Sequence, residues 1–269
     1  MQKIKIVIAL ICIVSANACT VSKQNLQPPA PVQFITYGPT WAALWQQRSA
    51  EYKALCLQAY NIAKEKLDTY LLQQSDKPTA IVTDVDETVL DNSPYTVHQA
   101  LKGQLYSDSS WMEWTVKVAC DTVPGALSFL QYAASRDVQV FYVTNRLEAE
   151  RNATLANLQK WNFSFAETSH LLMKTKTSGK DERRASVAAR YNILLFLGDN
   201  LGDFSGIFDH QPWQKRDSLV EANAANFGQR FIVLPNAMYG EWQGALLEYN
   251  YRLSKQGQDS VLMKWLTNY

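Results

Sequence analysis

The chain has 269 residues, 47% of them hydrophobic and 19% charged, which suits a globular protein and excludes a disordered or fibrous one. Its 26 Lys and Arg nearly balance 25 Asp and Glu. That argues against a nucleic-acid polymer as partner, since such binders carry a basic surplus or stripe.

In chain order, the first element is a leader. Lys3 and Lys5 precede the apolar run 6–14, and Ser15-Ala16-Asn17-Ala18 follows. This charged, apolar and small-residue layout is that of a secretory signal peptide over residues 1–18, too short for a comfortable membrane span. Ala16 and Ala18 fit an ordinary cleavage site. Small residues before Cys19 also resemble a bacterial lipobox, which would make Cys19 a lipidated mature amino terminus and a membrane anchor. A retained anchor is the third reading, and the first two imply export. Residues 19–40 then read as a polar tether with the Pro-rich stretch Gln27-Pro28-Pro29-Ala30-Pro31, and 41–269 as the folded domain. An oxidising compartment would permit a bridge between Cys56 and Cys120, two buried thiols are the simpler reading, and the sequence leaves the pairing open.

The spacing of Trp45, Arg48, Tyr52, Leu55, Cys56, Ala59, Ile62, Ala63, Leu67 and Tyr70 predicts one long amphipathic helix over 41–72. Beyond Pro78, short apolar runs alternate with helical stretches. Strands are predicted over 80–84, 138–144, 170–173, 194–197 and 231–234, and helices over 125–135, 147–161, 181–191, 214–227 and 242–254. That alternation indicates βαβ units, hence an α/β fold with a mostly parallel sheet covered on both faces. Residues 91–123 interrupt the rhythm. They are rich in aromatics (Tyr95, Tyr106, Trp111, Trp114) and predict a cap overhanging the end of the first strand.

Four polar signals end predicted strands or open predicted helices. They are Asp84-Val85-Asp86-Glu87-Thr88, Thr144-Asn145-Arg146, Lys180, and Gly198-Asp199-Asn200-Leu201-Gly202-Asp203. The carboxyl ends of parallel strands share one edge, so these groups can converge there. Two carboxylates one residue apart repel each other unless a cation or a shared proton intervenes. A carboxylate can attack phosphorus, a second can move the proton, a hydroxyl and an ammonium can hold phosphoryl oxygens, and further Asp residues can complete a Mg²⁺ site. His98, His170 and His210 lie outside these motifs and read as structural or solvent-facing.

At these residues the chain resembles the haloacid dehalogenase (HAD) superfamily, and more narrowly the bacterial class C acid phosphatases, many of them outer-membrane lipoproteins. The narrower resemblance rests on Ile81-Val82-Thr83-Asp84-Val85-Asp86-Glu87-Thr88-Val89-Leu90-Asp91-Asn92-Ser93-Pro94-Tyr95, on Leu197-Gly198-Asp199-Asn200-Leu201-Gly202-Asp203-Phe204, and on Leu234-Pro235-Asn236-Ala237-Met238-Tyr239-Gly240-Glu241-Trp242. It implies a Rossmann-like core with a small, mainly helical cap, and a Mg²⁺-dependent acid phosphatase acting on small phosphomonoesters, nucleoside 5'-monophosphates among them. Carried over by motif, Asp84 is the nucleophile and a metal ligand. Asp86 is the general acid/base and offers its backbone carbonyl to the metal. Thr144 and Lys180 bind the phosphoryl group with help from Asn145, Asp199 ligates Mg²⁺, and Asp203 orients Lys180 or a metal-bound water. Tyr239, Tyr95 and Trp111 are the candidates for stacking on a base. Outer-membrane attachment facing periplasm or cell surface follows from the same likeness, with a soluble periplasmic or secreted form as the alternative. Phosphotransfer through the same intermediate, and a non-catalytic nucleotide- or haem-binding surface lipoprotein, stay open at this stage, as does a homo-oligomer.

Overall fold

The structure is a computed structural model and describes residues 34–269. The expected signal peptide, Cys19 and most of the expected tether therefore lie outside the described residues.

Two helices come first, α1 (Phe34–Arg48) and α2 (Ala50–Tyr70). The helical periodicity runs them together, but Ser49 separates them. It turns to φ −85°, ψ 138°, and its side chain accepts the Tyr52 amide at 3.0 Å, capping α2. α1 also takes in residues 34–40, which composition groups with the tether. Ile35 there is buried, and its amide donates to Asp259 Oδ1 at 2.7 Å.

The remaining elements follow as β1 (Thr79–Thr83), β2 (Leu90–Asp91), α3 (Ser93–Leu101), α4 (Asp108–Thr115), β3 (Asp121–Thr122), α5 (Ala126–Ser135), β4 (Gln139–Leu147), α6 (Arg151–Lys160), β5 (Leu171–Lys174), α7 (Asp181–Ala188), β6 (Asn192–Gly198), α8 (Trp213–Ala222), β7 (Phe231–Val233), α9 (Glu241–Leu246) and α10 (Lys255–Met263). Five strands pair in parallel in the order β5-β4-β1-β6-β7. The chain builds outward from β1 to one side, then returns beside β1 as β6 and builds to the other. The switch point, where ligands bind in open α/β sheets, thus lies between β1 and β6.

Alternation along the strands explains the continuous apolar runs. Ile81, Val140, Tyr142, Leu195 and Leu197 point into a core shared with α2 and α5, through Tyr60, Ala63, Phe129 and Leu130. Ala80, Val82, Phe141, Val143 and Ile193 point to the opposite face, where Val187 of α7 covers them. Both faces are buried, as a parallel sheet requires.

The insertion is tied at its base by β2 and β3, which pair antiparallel (Leu90 with Thr122, Asp91 with Asp121), and carries α3 and α4. α1 braces it: Gln46 Nε2 donates to Asp91 Oδ1 at 2.8 Å and Gln47 Nε2 to Ser93 Oγ at 3.0 Å. Several extents differ from the periodicity, among them the helix expected over 214–227, which stops at Ala222. β4 runs on through Thr144, Asn145 and Arg146, with an irregular register between Val143 and Leu147. The helix expected over 242–254 stops at Leu246, where Glu248 and Tyr249 adopt left-handed backbone with φ of 51° and 56°.

Candidate active site

β1 ends at Thr83, and the Asp84 amide still donates to Leu197 O of β6 at 2.9 Å, which fixes Asp84 at the switch point. β6 delivers Asp199 and the following turn delivers Asp203. Lys180 comes from the other direction, immediately before α7. Its Nζ donates to Asp84 Oδ1 at 2.5 Å and to Asp203 Oδ1 at 2.6 Å, and all three side chains are buried. Asp203 reaches this position because Gly198 has no side chain: a Cβ there would lie 2.3 Å from Asp203 Oδ2. Asp199 is held by neutral donors, Asn200 Nδ2 and Asn236 Nδ2, each at 2.7 Å, with Thr88 Oγ1 at 3.4 Å.

The electrostatics follow from this packing. Burial raises the Asp84 carboxyl to about 7; Lys180 opposes the rise, while Asp203 and Asp86 add to it. Burial also lifts Asp199 well above the usual carboxylate range, with Asp203 and Asp84 pushing the same way. For Lys180 burial works against the charged form, yet Asp203 and Asp84 outweigh it and the ammonium stays above its ordinary value.

Asp86 faces a different partner. Its carboxylate pairs with Arg146, Nη2 to Oδ1 at 2.8 Å, and Arg146 is almost wholly buried. Thr144 Oγ1 lies 3.4 Å from Asp86 Oδ2 and also accepts the Arg146 amide at 3.1 Å. Asn145 projects into the cleft. Arg183 Nη2 donates to its Oδ1 at 2.8 Å, which leaves the amide's Nδ2 donor to the cleft side.

The cleft above these groups has a volume of about 710 Å³. Asp84, Asp86, Asn145, Lys180, Asp199 and Asp203 line it together with Tyr95, Trp111 and Tyr239, and with Ile35 and Pro39 of α1. The three aromatics differ in setting. Tyr95 and Trp111 are buried in the cap, edge to face at 4.8 Å, and the Tyr95 hydroxyl bonds Ser110 Oγ at 2.9 Å. Tyr239 is half-buried, and its hydroxyl is enclosed without a hydrogen-bond partner. Cys56 and Cys120 are both buried free thiols.

The sequence motifs bring the acidic groups and Lys180 to this edge but assign no role to Arg146, Asn92, Arg183 or Asn236. Arg146 had a legible signal. It stands two residues beyond Thr144, so in an extended strand it shares that residue's side, and an arginine buried at a strand end requires an anionic partner.

Asp84, Asp199 and Asp203 each offer a carboxylate oxygen, all within 4.8 Å of one another. Three carboxylates against one ammonium leave an excess of negative charge that a hard divalent cation fits. The Asp86 side chain is not part of this trio, since Arg146 holds it.

Comparison with known proteins agrees with this chemistry. Residues 6–242 match the family described as HAD superfamily, subfamily IIIB (acid phosphatase). The chain belongs to that family. The class C acid phosphatase of Bacillus anthracis is 38% identical, superposes with a TM-score of 0.85, and its alignment covers 88% of this chain and 100% of that one. A second structure of that bacterial protein holds bound tungstate and superposes equally well. Acid phosphatase 1 of Solanum lycopersicum is 27% identical over 166 residues, 59% of this chain and 57% of that protein. The stem 31 kDa glycoprotein of Glycine max is 25% identical over 161 residues, 58% and 57% respectively. The matched segment thus spans little more than half the length of these two plant proteins. The family and this structural likeness together place the chain among the acid phosphatases of the HAD superfamily, with the class C enzyme of Bacillus anthracis as a close structural relative.

Proposed function

We propose that the protein is a Mg²⁺-dependent phosphomonoesterase that works through an aspartyl-phosphate on Asp84 and accepts nucleoside 5'-monophosphates. The observation that supports this most is the convergence of Asp84, Lys180, Asp199 and Asp203 at the switch point, with Asp86 beside them and one cleft above. An Asp84 carboxylate oxygen attacks phosphorus, and the ester P–O bond breaks as Asp86 gives its proton to the departing oxygen. Asp86 then takes a proton from water, whose oxygen attacks the same phosphorus and releases inorganic phosphate from Asp84. Lys180 and the Asn145 amide hold phosphoryl oxygens, where fixed donors act most strongly as charge develops. Asp84, Asp199 and Asp203 would hold Mg²⁺, which when bound offsets the charge of the carboxylates and the phosphoryl group.

Substitution of Asp84 by Asn tests the reading. Phosphate release from p-nitrophenyl phosphate is expected to fall to background, and wild-type activity to vanish with a chelator and return with Mg²⁺. An unchanged rate in the Asn variant would refute it. Tyr239 supports the nucleoside assignment, since base–aromatic stacking contributes about 1–3 kcal/mol. A higher kcat/KM for nucleoside monophosphates than for sugar phosphates, lost in Tyr239→Ala, is the expected outcome; no difference would remove the assignment. The proposal includes export and a lipid anchor on Cys19, as the leader's layout indicates. Mass spectrometry of the mature protein should find an acylated Cys19 at the amino terminus, and any other terminus contradicts the anchor.

A further inference from the structure

Asp86 sits in a frame of donors that treats its two oxygens differently. Oδ1 accepts Arg146 Nη2 at 2.8 Å, Asn92 Nδ2 at 2.9 Å and Arg146 Nε at 3.0 Å. Oδ2 has only longer contacts, Arg146 Nε at 3.3 Å and Thr144 Oγ1 at 3.4 Å. A carboxyl oxygen facing three N–H donors cannot also present a hydrogen of its own, so a proton on this carboxyl belongs on Oδ2.

The donors are themselves fixed. Arg146 Nη1 donates to Thr154 Oγ1 of α6 at 3.1 Å, and the guanidinium carbon lies 5.9 Å from the centre of the Trp111 ring. Asn92 Oδ1 accepts Trp114 Nε1 at 2.9 Å. An indole nitrogen only donates, so this contact settles which way the amide faces and turns Nδ2 towards Asp86. Glu87 pins the same residue by accepting the Asn92 backbone N–H on Oε1 at 2.7 Å. Trp111 and Trp114 both belong to α4, so one helix of the cap closes this frame from two sides.

We propose that Arg146 and Asn92 are positioning residues for the phosphatase reaction: they hold Asp86 so that Oδ2 presents the transferable proton, and α4 locks both through Trp111 and Trp114. The inference rests on the reading of Asp86 as the general acid. Proton transfer needs heavy atoms about 2.6–3.2 Å apart, and a carboxyl turning on its side-chain bonds would meet that distance only part of the time. A frame that merely balanced a buried charge would have no bearing on which leaving group departs.

Leaving-group dependence therefore separates the two roles. A p-nitrophenolate departs readily without a proton, whereas phenolate needs one more, and kcat/KM reports the steps through P–O cleavage. In Arg146→Gln and Asn92→Ala, kcat/KM for phenyl phosphate is expected to fall at least about 10-fold further than for p-nitrophenyl phosphate, a lower share of the usual general-acid effect. Trp114→Phe should act in the same direction and less strongly. Asp86→Asn should show the same discrimination, and adding Arg146→Gln to it should bring no more. Equal losses on both esters in the Arg146 and Asn92 variants, with discrimination retained in Asp86→Asn, would overturn this inference and leave Asp86 as the acid. Absence of discrimination in Asp86→Asn would remove the acid assignment and the positioning with it. If thermal melts show Arg146→Gln to be unfolded, Asn92→Ala and Trp114→Phe decide the matter by the same comparison.

Discussion

Asp84 illustrates how burial and function meet at a single side chain. Burial raises its carboxyl to about 7, against the pull of Lys180 and with Asp203 and Asp86 contributing to the rise. In the metal-free protein it therefore keeps its proton where the unfolded chain, titrating near 4, has lost it. The native state then binds more protons, and stability falls as pH rises from about 4 through about 7. A divalent cation on the carboxylates removes that loss, so the rise in Tm produced by Mg²⁺ should be larger at pH 8 than at pH 5. Thermal melts with and without Mg²⁺ check this, and the difference should shrink in Asp84→Asn; equal shifts at both pH values would contradict it. At this scale the convergence of Asp84, its acidic partners and Lys180 was legible in the sequence, because each stands beside the end of a predicted strand or the start of a predicted helix. Arg146 carried only its place two residues beyond Thr144, and Asn92 carried no signal, because their roles depend on who sits opposite and Asn92 lies in the cap segment, whose path no periodicity fixed.

Among the elements, the five main strands stand close to where the apolar runs put them, because a strand buried on both faces leaves an unbroken hydrophobic signature. Junctions were harder to read. Ser49 ends one helix and caps the next without interrupting the apolar spacing around it, and the left-handed residues after Leu246 carry no Gly or Pro to announce them. The close of β6 carries a sharper constraint. Gly198 is the strand's last residue, and any side chain there meets Asp203. Gly198→Ala should displace Asp203 from Lys180 and weaken Mg²⁺ binding at least about 10-fold, roughly the loss of one hydrogen bond between charged groups. Calorimetric titration with Mg²⁺ measures this directly. Unchanged affinity would mean that Asp203 is dispensable to the metal trio.

For the whole molecule, the order β5-β4-β1-β6-β7 gathers groups far apart in sequence: Asp84 follows the central strand, Lys180 precedes α7, and Asp199 follows β6. Over them lies the cap, whose helix α4 both lines the cleft through Trp111 and grips Arg146 and Asn92 through its two tryptophans. The same eight-residue helix thus lines the cleft and contacts both partners of Asp86. The aromatics of residues 91–123 predict a cap but give no sign of these contacts, which arise only where α4 packs against Arg146 of β4 and against Asn92. The central claim is that phosphate passes through Asp84. Its most direct test is acid quench of the enzyme during turnover, followed by mass spectrometry of its peptides. A phosphoryl increment on the peptide bearing Asp84, removable by hydroxylamine as an acyl phosphate is, is the expected result. Phosphate on any other residue, or steady turnover with no phosphoenzyme even in the Asp86→Asn variant, would contradict it.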